Sequence, residues 1–183
     1  NFKTFDVNLL HGVTASGKTE IYIKLLEQYI KEGKQVLFLL PEIALTTQLV
    51  QRLTAYFGNE VAVFHSKYTN NERIEVWNQV LENSPKAKVV IGVRSALFLP
   101  FSDLGCIIVD EEHEQTFKQN DPSPRYHARD AAIVLAKQHG AKVVLGSATP
   151  SLETYYNVQS NKYGLTELKV RFGNVVLPEI QLV

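Results

Sequence analysis

Three short segments hold residue types whose spacing could do chemistry. The first, Gly12-Val13-Thr14-Ala15-Ser16-Gly17-Lys18-Thr19, fits the spacing G-x-x-x-x-G-K-[ST]. Glycines let a backbone curl until successive N–H groups face one anion, and a helix starting there adds its positive end. A lysine and a hydroxyl at these offsets suit a nucleotide. Lys18 would reach its β- and γ-phosphates, and the Thr19 hydroxyl would ligate Mg²⁺. All eight residues, Gly12 through Thr19, are therefore candidate nucleotide ligands.

The second segment, Asp110-Glu111-Glu112-His113, follows the apolar run Cys106-Ile107-Ile108-Val109. An acidic residue leaving a hydrophobic strand near a phosphate loop is placed to hold Mg²⁺, which is the role expected of Asp110. The next carboxylate, Glu111, is placed to orient or deprotonate an attacking water. The third segment is Gly146-Ser147-Ala148-Thr149-Pro150-Ser151. Ser147 and Thr149 are short hydroxyl residues at a strand end, suited to a hydrogen-bonded relay to the acidic segment through His113. The catalytic candidates are Lys18, Asp110, Glu111 and His113. The metal candidates are Thr19 and Asp110.

Elements must bring these segments together. Short runs rich in Val, Ile and Leu occur at Val7–His11, Val36–Leu40, Val61–His65, Lys88–Gly92, Cys106–Asp110 and Val143–Gly146. Nearly unbroken apolar runs of this length are expected of strands buried on both faces of a parallel sheet. Helical patterns lie between several of them, at Lys18–Lys31, Ala44–Phe57, Asn71–Glu82 and His127–His139. Strand and helix alternating this way predict an α/β fold: a doubly wound, mainly parallel sheet flanked by helices. Ligands of such sheets bind beyond the carboxyl ends of the strands, where all three segments fall. Residues 1–162 form the predicted lobe. The tail, 163–183, loses periodicity and is expected to pack on the sheet edge or to begin a linker.

The 183 residues, 45% hydrophobic and 21% charged, suffice for one domain with a substantial core. Nineteen Lys and Arg balance nineteen Asp and Glu, so any nucleic-acid contact must rest on a local patch rather than on overall charge. The one cysteine, Cys106, excludes an internal disulfide and a thiolate zinc cluster, and its apolar surroundings read as core. No apolar stretch approaches the roughly 18 residues needed to cross a bilayer, and no signal peptide opens the chain. A cytoplasmic protein without a membrane partner is expected. The chain has no methionine, which suggests a piece of a longer protein. His11, His65 and His139 lack spaced metal partners and read as structural. Trp77, four residues after Arg73, reads as core packing.

Asp-Glu-x-His followed by Ser-Ala-Thr resembles the second and third motifs of superfamily 2 helicases. The resemblance narrows to the PriA family of bacterial replication-restart DNA helicases. It rests on Leu40-Pro-Glu-Ile-Ala-Leu-Thr46, His65-Ser66, Arg73 with Trp77, Ile91-Gly-Val-Arg-Ser-Ala-Leu-Phe98, Asp110-Glu-Glu-His113, Pro124-Arg-Tyr-His-Ala-Arg-Asp130 and Gly146-Ser-Ala-Thr-Pro-Ser151. It covers the chain in order, including Arg171-Phe-Gly-Asn174. Ala15 stands where the family usually has Gly, Val93 where it has Thr, and Phe117 where it has Tyr.

That resemblance implies the first RecA-like, P-loop NTPase lobe of an ATP-dependent helicase, with ATP and Mg²⁺ as cofactors. Segments equivalent to Pro41–Leu45, including Glu42, and to Gly92–Ala96 would grip a DNA strand, with Arg94 and Ser95 on phosphates. The loop from Phe117 to Asp130 resembles the aromatic-rich loop that couples DNA engagement to hydrolysis in this family. Phe117 and Tyr126 would offer stacking faces, and Lys118, Arg125 and Arg129 would supply charge. Ser147 and Thr149 would take part in coupling. The implied partners are single-stranded or forked DNA, the second lobe and DNA-binding domains of a parent chain, and primosome and single-strand-binding proteins. Within this sequence nothing after Thr149 reads as a second lobe and residues 1–11 hold no glutamine for adenine recognition, so the chain alone is expected to be inactive. Another superfamily 2 translocase, or a P-loop phosphotransferase, remains the alternative.

Overall fold

The computed structural model describes residues 4–42, 48–65 and 68–171. Seven strands form one sheet: β1 Val7–Gly12, β2 Gln35–Leu39, β3 Val61–Phe64, β4 Val89–Gly92, β5 Leu104–Asp110, β6 Lys142–Ser147 and β7 Gly164–Leu168. Their order is β3-β4-β2-β5-β6-β1-β7, and every pairing is parallel. Among the described residues five α-helices flank it: α1 Lys18–Lys31, α2 Gln48–Phe57, α3 Asn70–Leu81, α4 Ala128–His139 and α5 Leu152–Gln159.

The period of two along each strand divides the apolar residues between two cores. Val36, Phe38, Cys106 and Ile108 face α1 and α2, meeting Tyr22, Leu26 and Leu53. Leu37, Leu39, Ile107 and Val109 face the other way, against Val80 of α3, Ala132 and Ala136 of α4, and Val158 of α5. The sheet is therefore doubly wound, with helices on both faces. All five residues of β2 are buried, which explains why its run is unbroken rather than alternating. No helix among the described residues is long and apolar enough to cross a membrane.

Helix boundaries have local causes. Thr69 and Glu72 form a reciprocal capping box at the start of α3, and Ser151 caps α5 by accepting from Thr154 N–H. Gly140, at φ 64°, ends α4 in the left-handed conformation that glycine adopts without strain.

Several features differ from the sequence reading. Helix α5 and strand β7 were not anticipated. Residues 164–168 add an edge strand beside β1, so the sheet continues past residue 162. Trp77 is 44% exposed rather than packed in the core. Val76 and Val80 face the sheet, and Ile74, Trp77 and Leu81 form an outward stripe on α3. Ile43, Ala44, Leu45, Ser66 and the stretch Phe172–Asn174 lie outside the described residues.

Candidate nucleotide-binding and hydrolysis site

The three chemical segments leave adjacent strands. β5, β6 and β1 are neighbours in the sheet, and the register sets Asp110 beside Gly146 and His11 beside Ser147. Their carboxyl ends open on a cavity of about 210 Å³, walled by the loop from Val13 to Thr19 with Tyr22, Asp110 and Glu111.

The loop has the backbone of an anion cradle. Ala15 at φ 61° and Gly17 at φ 89° both adopt left-handed conformations. Gly17 is also the N-cap of α1, and no side chain caps that end, so the first amides of α1 lack a side-chain acceptor. Ser16 Oγ is buried without a hydrogen-bond partner. Lys18 Nζ donates to the Gly12 carbonyl at 2.9 Å and lies 3.9 Å from Glu111 Oε1. Converging donors, an uncapped helix start and a lysine fit the phosphates of a nucleotide. Thr19 and Asp110 line the same cavity and would hold a Mg²⁺ there, supplying positive charge beside the phosphates.

Asp110 is held from the side. Tyr22 Oη, from the buried face of α1, donates to Asp110 Oδ1 at 2.8 Å. A Cβ on residue 146 would lie 1.7 Å from Tyr22 Oη, so glycine is the residue that leaves room for the contact. Burial raises the Asp110 carboxyl above its ordinary range, opposed by the Tyr22 hydrogen bond and the Lys18 charge. Burial, reinforced by the neighbouring Asp110 charge, also raises Glu111, while Lys18 and His113 oppose it. A carboxylate with a raised pKa is better suited to accept a proton from water. Glu111 sits at φ 50°, a strained conformation for a non-glycine residue.

His113 joins the acidic turn to the segment after β6. Its Nδ1 is 2.8 Å from Ser147 Oγ, and its Nε2 is 3.3 Å from Thr149 Oγ1. Ser147 Oγ also accepts from Thr149 N–H at 3.0 Å. Glu112 points the opposite way and is fully buried.

The proposed DNA-contacting residues occupy the other half of the same rim, after β2, β4 and β5. Pro41 is buried and Glu42 exposed. Arg94 and Ser95 open a short 3₁₀ turn, Arg94–Phe98. Arg94 is already engaged: Nη1 donates to the carbonyls of Thr116 and Lys118 at 3.1 Å each, and Nη2 lies 3.6 Å from Glu42. Lys118 and Arg125 are exposed, and Lys118 Nζ donates to the Arg125 carbonyl at 3.1 Å.

Two expectations need correction. Phe117 is 1% exposed and packs in the core, so its ring faces are covered and cannot stack on a base in this structure. Arg129 is 7% exposed and paired with Glu112 at 3.0 Å, so its charge is compensated inside the protein. The available ring pair is instead Phe98, 60% exposed, edge-on to Tyr126 at 5.3 Å. Sequence reading missed Tyr22 and Thr154, and gave no role to Glu112 and Ser151 within their segments.

The DEAD/DEAH box helicase family profile matches residues 4–158. The chain is 48% identical to replication restart protein PriA of Bacillus subtilis over 97% of its own length, and 54% identical to PriA of Haemophilus influenzae over 93%. It spans 22% and 23% of those two proteins, less than a quarter of each. Among solved structures, RecG bound to a three-way DNA junction matches 88% of this chain and 20% of that one, with TM-score 0.63 and 20% identity. A DEAD box protein from Methanococcus jannaschii matches 92% of this chain and 46% of that one, with TM-score 0.63 and 17% identity. At those identities the structural likeness shows the fold alone, a RecA-like α/β lobe. With a family profile spanning most of its length, the chain belongs to the DEAD/DEAH box helicase family.

Proposed function

We propose that this chain is the first, nucleotide-hydrolysing lobe of a PriA-like DNA helicase acting in replication restart. The observation that carries the reading is the meeting of Lys18, Thr19, Asp110 and Glu111 around one cavity, with His113, Ser147 and Thr149 hydrogen-bonded beside it. Lys18 and the amides of the loop would bind the phosphates of ATP. Thr19 and Asp110 would hold Mg²⁺, which when bound neutralises charge developing on the phosphates. Glu111, with its raised pKa, would orient a water and take its proton. Tyr22 would keep Asp110 aimed at the metal.

DNA would lie along the rim after β2, β4 and β5, on Arg94, Ser95, Lys118 and Arg125, with Phe98 and Tyr126 as the accessible rings. The primosome and single-strand-binding proteins are partners proposed from the likeness to PriA. So is a bacterial cytoplasmic setting.

The site is half of a cleft. A transition-state arginine from a second lobe is worth about 10³–10⁵ in rate in GTPases where one has been isolated. The 183-residue chain should therefore bind Mg·ATP weakly and turn it over negligibly, with or without DNA. Calorimetric titration and a phosphate-release assay test this. DNA-stimulated turnover by the chain alone would contradict the half-site reading.

A further inference from the structure

Glu112 does not line the candidate nucleotide cavity, yet its carboxylate is the most heavily bonded among the described residues. It is fully buried. Oε1 accepts from Ser151 N–H at 2.7 Å. Oε2 accepts from Arg129 Nη1 at 3.0 Å, Ser151 Oγ at 3.0 Å and Thr154 Oγ1 at 2.9 Å. The backbone is fixed as well, since Glu112 N–H donates to the Gly146 carbonyl at 3.0 Å. A buried ion pair is poor evidence for stability, because apolar residues of similar volume often serve as well or better. What this network does specify is position: one side chain ties the turn after β5 to the starts of α4 and α5.

The residue before it is the one that needs holding. Glu111 adopts φ 50°, and such strain persists only where surrounding structure over-determines the backbone. Asp110 is fixed on one side by Tyr22. Glu112 is fixed on the other by four donors. We infer that Glu112 is a positioning residue for hydrolysis: its buried carboxylate, clamped by Arg129, Ser151 and Thr154, holds Glu111 in its strained, cavity-lining conformation. This rests on Glu111 being the hydrolytic carboxylate, as proposed above. The phosphate loop lies outside the clamp, so loosening the clamp should slow the chemical step and spare nucleotide affinity.

The experiment uses the full parent protein with Mg·ATP and forked DNA, assayed well below each variant's melting temperature. Glu112→Gln keeps the shape but turns an NH₂ group toward donors. Misplacing a reacting group by about 1 Å can cost about 10²-fold in rate, so kcat should fall by up to that factor with KM for ATP unchanged. Thr154→Val, which removes one donor, should lower kcat less and in the same direction. In E112L/R129M both charges are gone, so stability should recover while kcat stays low, because nothing then tethers the turn to Ser151 and Thr154. A kcat that returns with the melting temperature would overturn the inference, as would a Glu112→Gln effect confined to KM. If the double variant does not regain stability, the kcat-against-KM split in Glu112→Gln decides alone. Lys18→Ala separates the two levels: wild-type hydrolysis there refutes the nucleotide site itself. Lost hydrolysis there with normal kcat in Glu112→Gln refutes only the clamp.

Discussion

Replacing Tyr22 by Phe deletes one oxygen and tests how the metal-side carboxylate is held. Tyr22 is 1% exposed and donates to Asp110 Oδ1 at 2.8 Å. Hydrogen bonds to charged groups contribute about 1.5–3 kcal/mol net. For a chain of this size each kcal/mol moves the thermal midpoint by about 2–4 °C, so Tyr22→Phe should lower it by about 3–12 °C. The hydrogen bond favours the charged form of Asp110, whose pKa burial has already raised. Without that bond the Asp110 pKa rises further, so the loss should be complete above the variant's higher pKa and shrink as pH falls from there through the wild-type value. Gly146 supplies the internal control. An added Cβ there would lie 1.7 Å from Tyr22 Oη, but 3.0 Å from both Tyr22 Cζ and Asp110 Oδ1. Gly146→Ala should thus be severe in the wild type and milder beside Tyr22→Phe, with a coupling of about 0.5–3 kcal/mol. Urea unfolding of the four proteins at neutral pH measures it. Additivity within about 0.5 kcal/mol, or an undamaged Tyr22→Phe, would refute the steric and electrostatic reasoning together.

Three further outcomes are expected. Ala15, at φ 61°, occupies a conformation that costs an L-residue about 1–2 kcal/mol, against about 0.4–1 kcal/mol of added chain entropy for glycine. Ala15→Gly should leave stability equal or higher in a thermal melt, and a clear loss would mean the Cβ makes a compensating contact. Glu111 binds its proton more tightly folded than unfolded, so its contribution to stability falls as pH rises through the window above the ordinary glutamate range. Glu111→Gln should therefore stabilise the free chain at neutral pH, with the gain vanishing on acidification, and denaturation across pH checks the sign. Phe117→Ala should cost about 3–5 kcal/mol of folding as a core truncation. Phe98→Ala should leave stability nearly unchanged and weaken single-strand binding in the parent protein by about 1–3 kcal/mol. Comparable stabilities for the two variants would contradict the burial assigned to Phe117.

How much was legible in the sequence followed from how each feature is encoded. Central strands such as β2 and β5 announce themselves because both faces are buried, leaving unbroken apolar runs. The edge strand β7, Gly-Leu-Thr-Glu-Leu, pairs on one side only and is mostly half-exposed, so its pattern fades. Helix α5 exposes Leu152, Tyr155 and Tyr156, which blurs its period, although Ser151 before Glu153 and Thr154 was a readable start. The phosphate loop is a local object, eight consecutive residues, and its spacing sufficed. Tyr22 and Glu112 act across the fold, on partners 88 and 39 residues away. The one hint was Gly146, the residue without a side chain that closes the run Val143–Gly146, which leaves room for another side chain to approach. Phe117 shows the opposite failure: an aromatic in a charged loop suggested stacking, while its ring belongs to the core.

The account stands most directly on Glu111, half-buried beside Lys18 and Asp110 at the ends of β1 and β5. The measurement is Mg·ATP binding and DNA-stimulated phosphate release by the full parent protein carrying Glu111→Gln, beside the wild type. Nucleotide affinity should persist while release falls by about 10²–10⁴-fold, the range for removal of a general base. Unchanged turnover, or loss of binding in step with turnover, would contradict the assignment of Glu111 to the hydrolytic step.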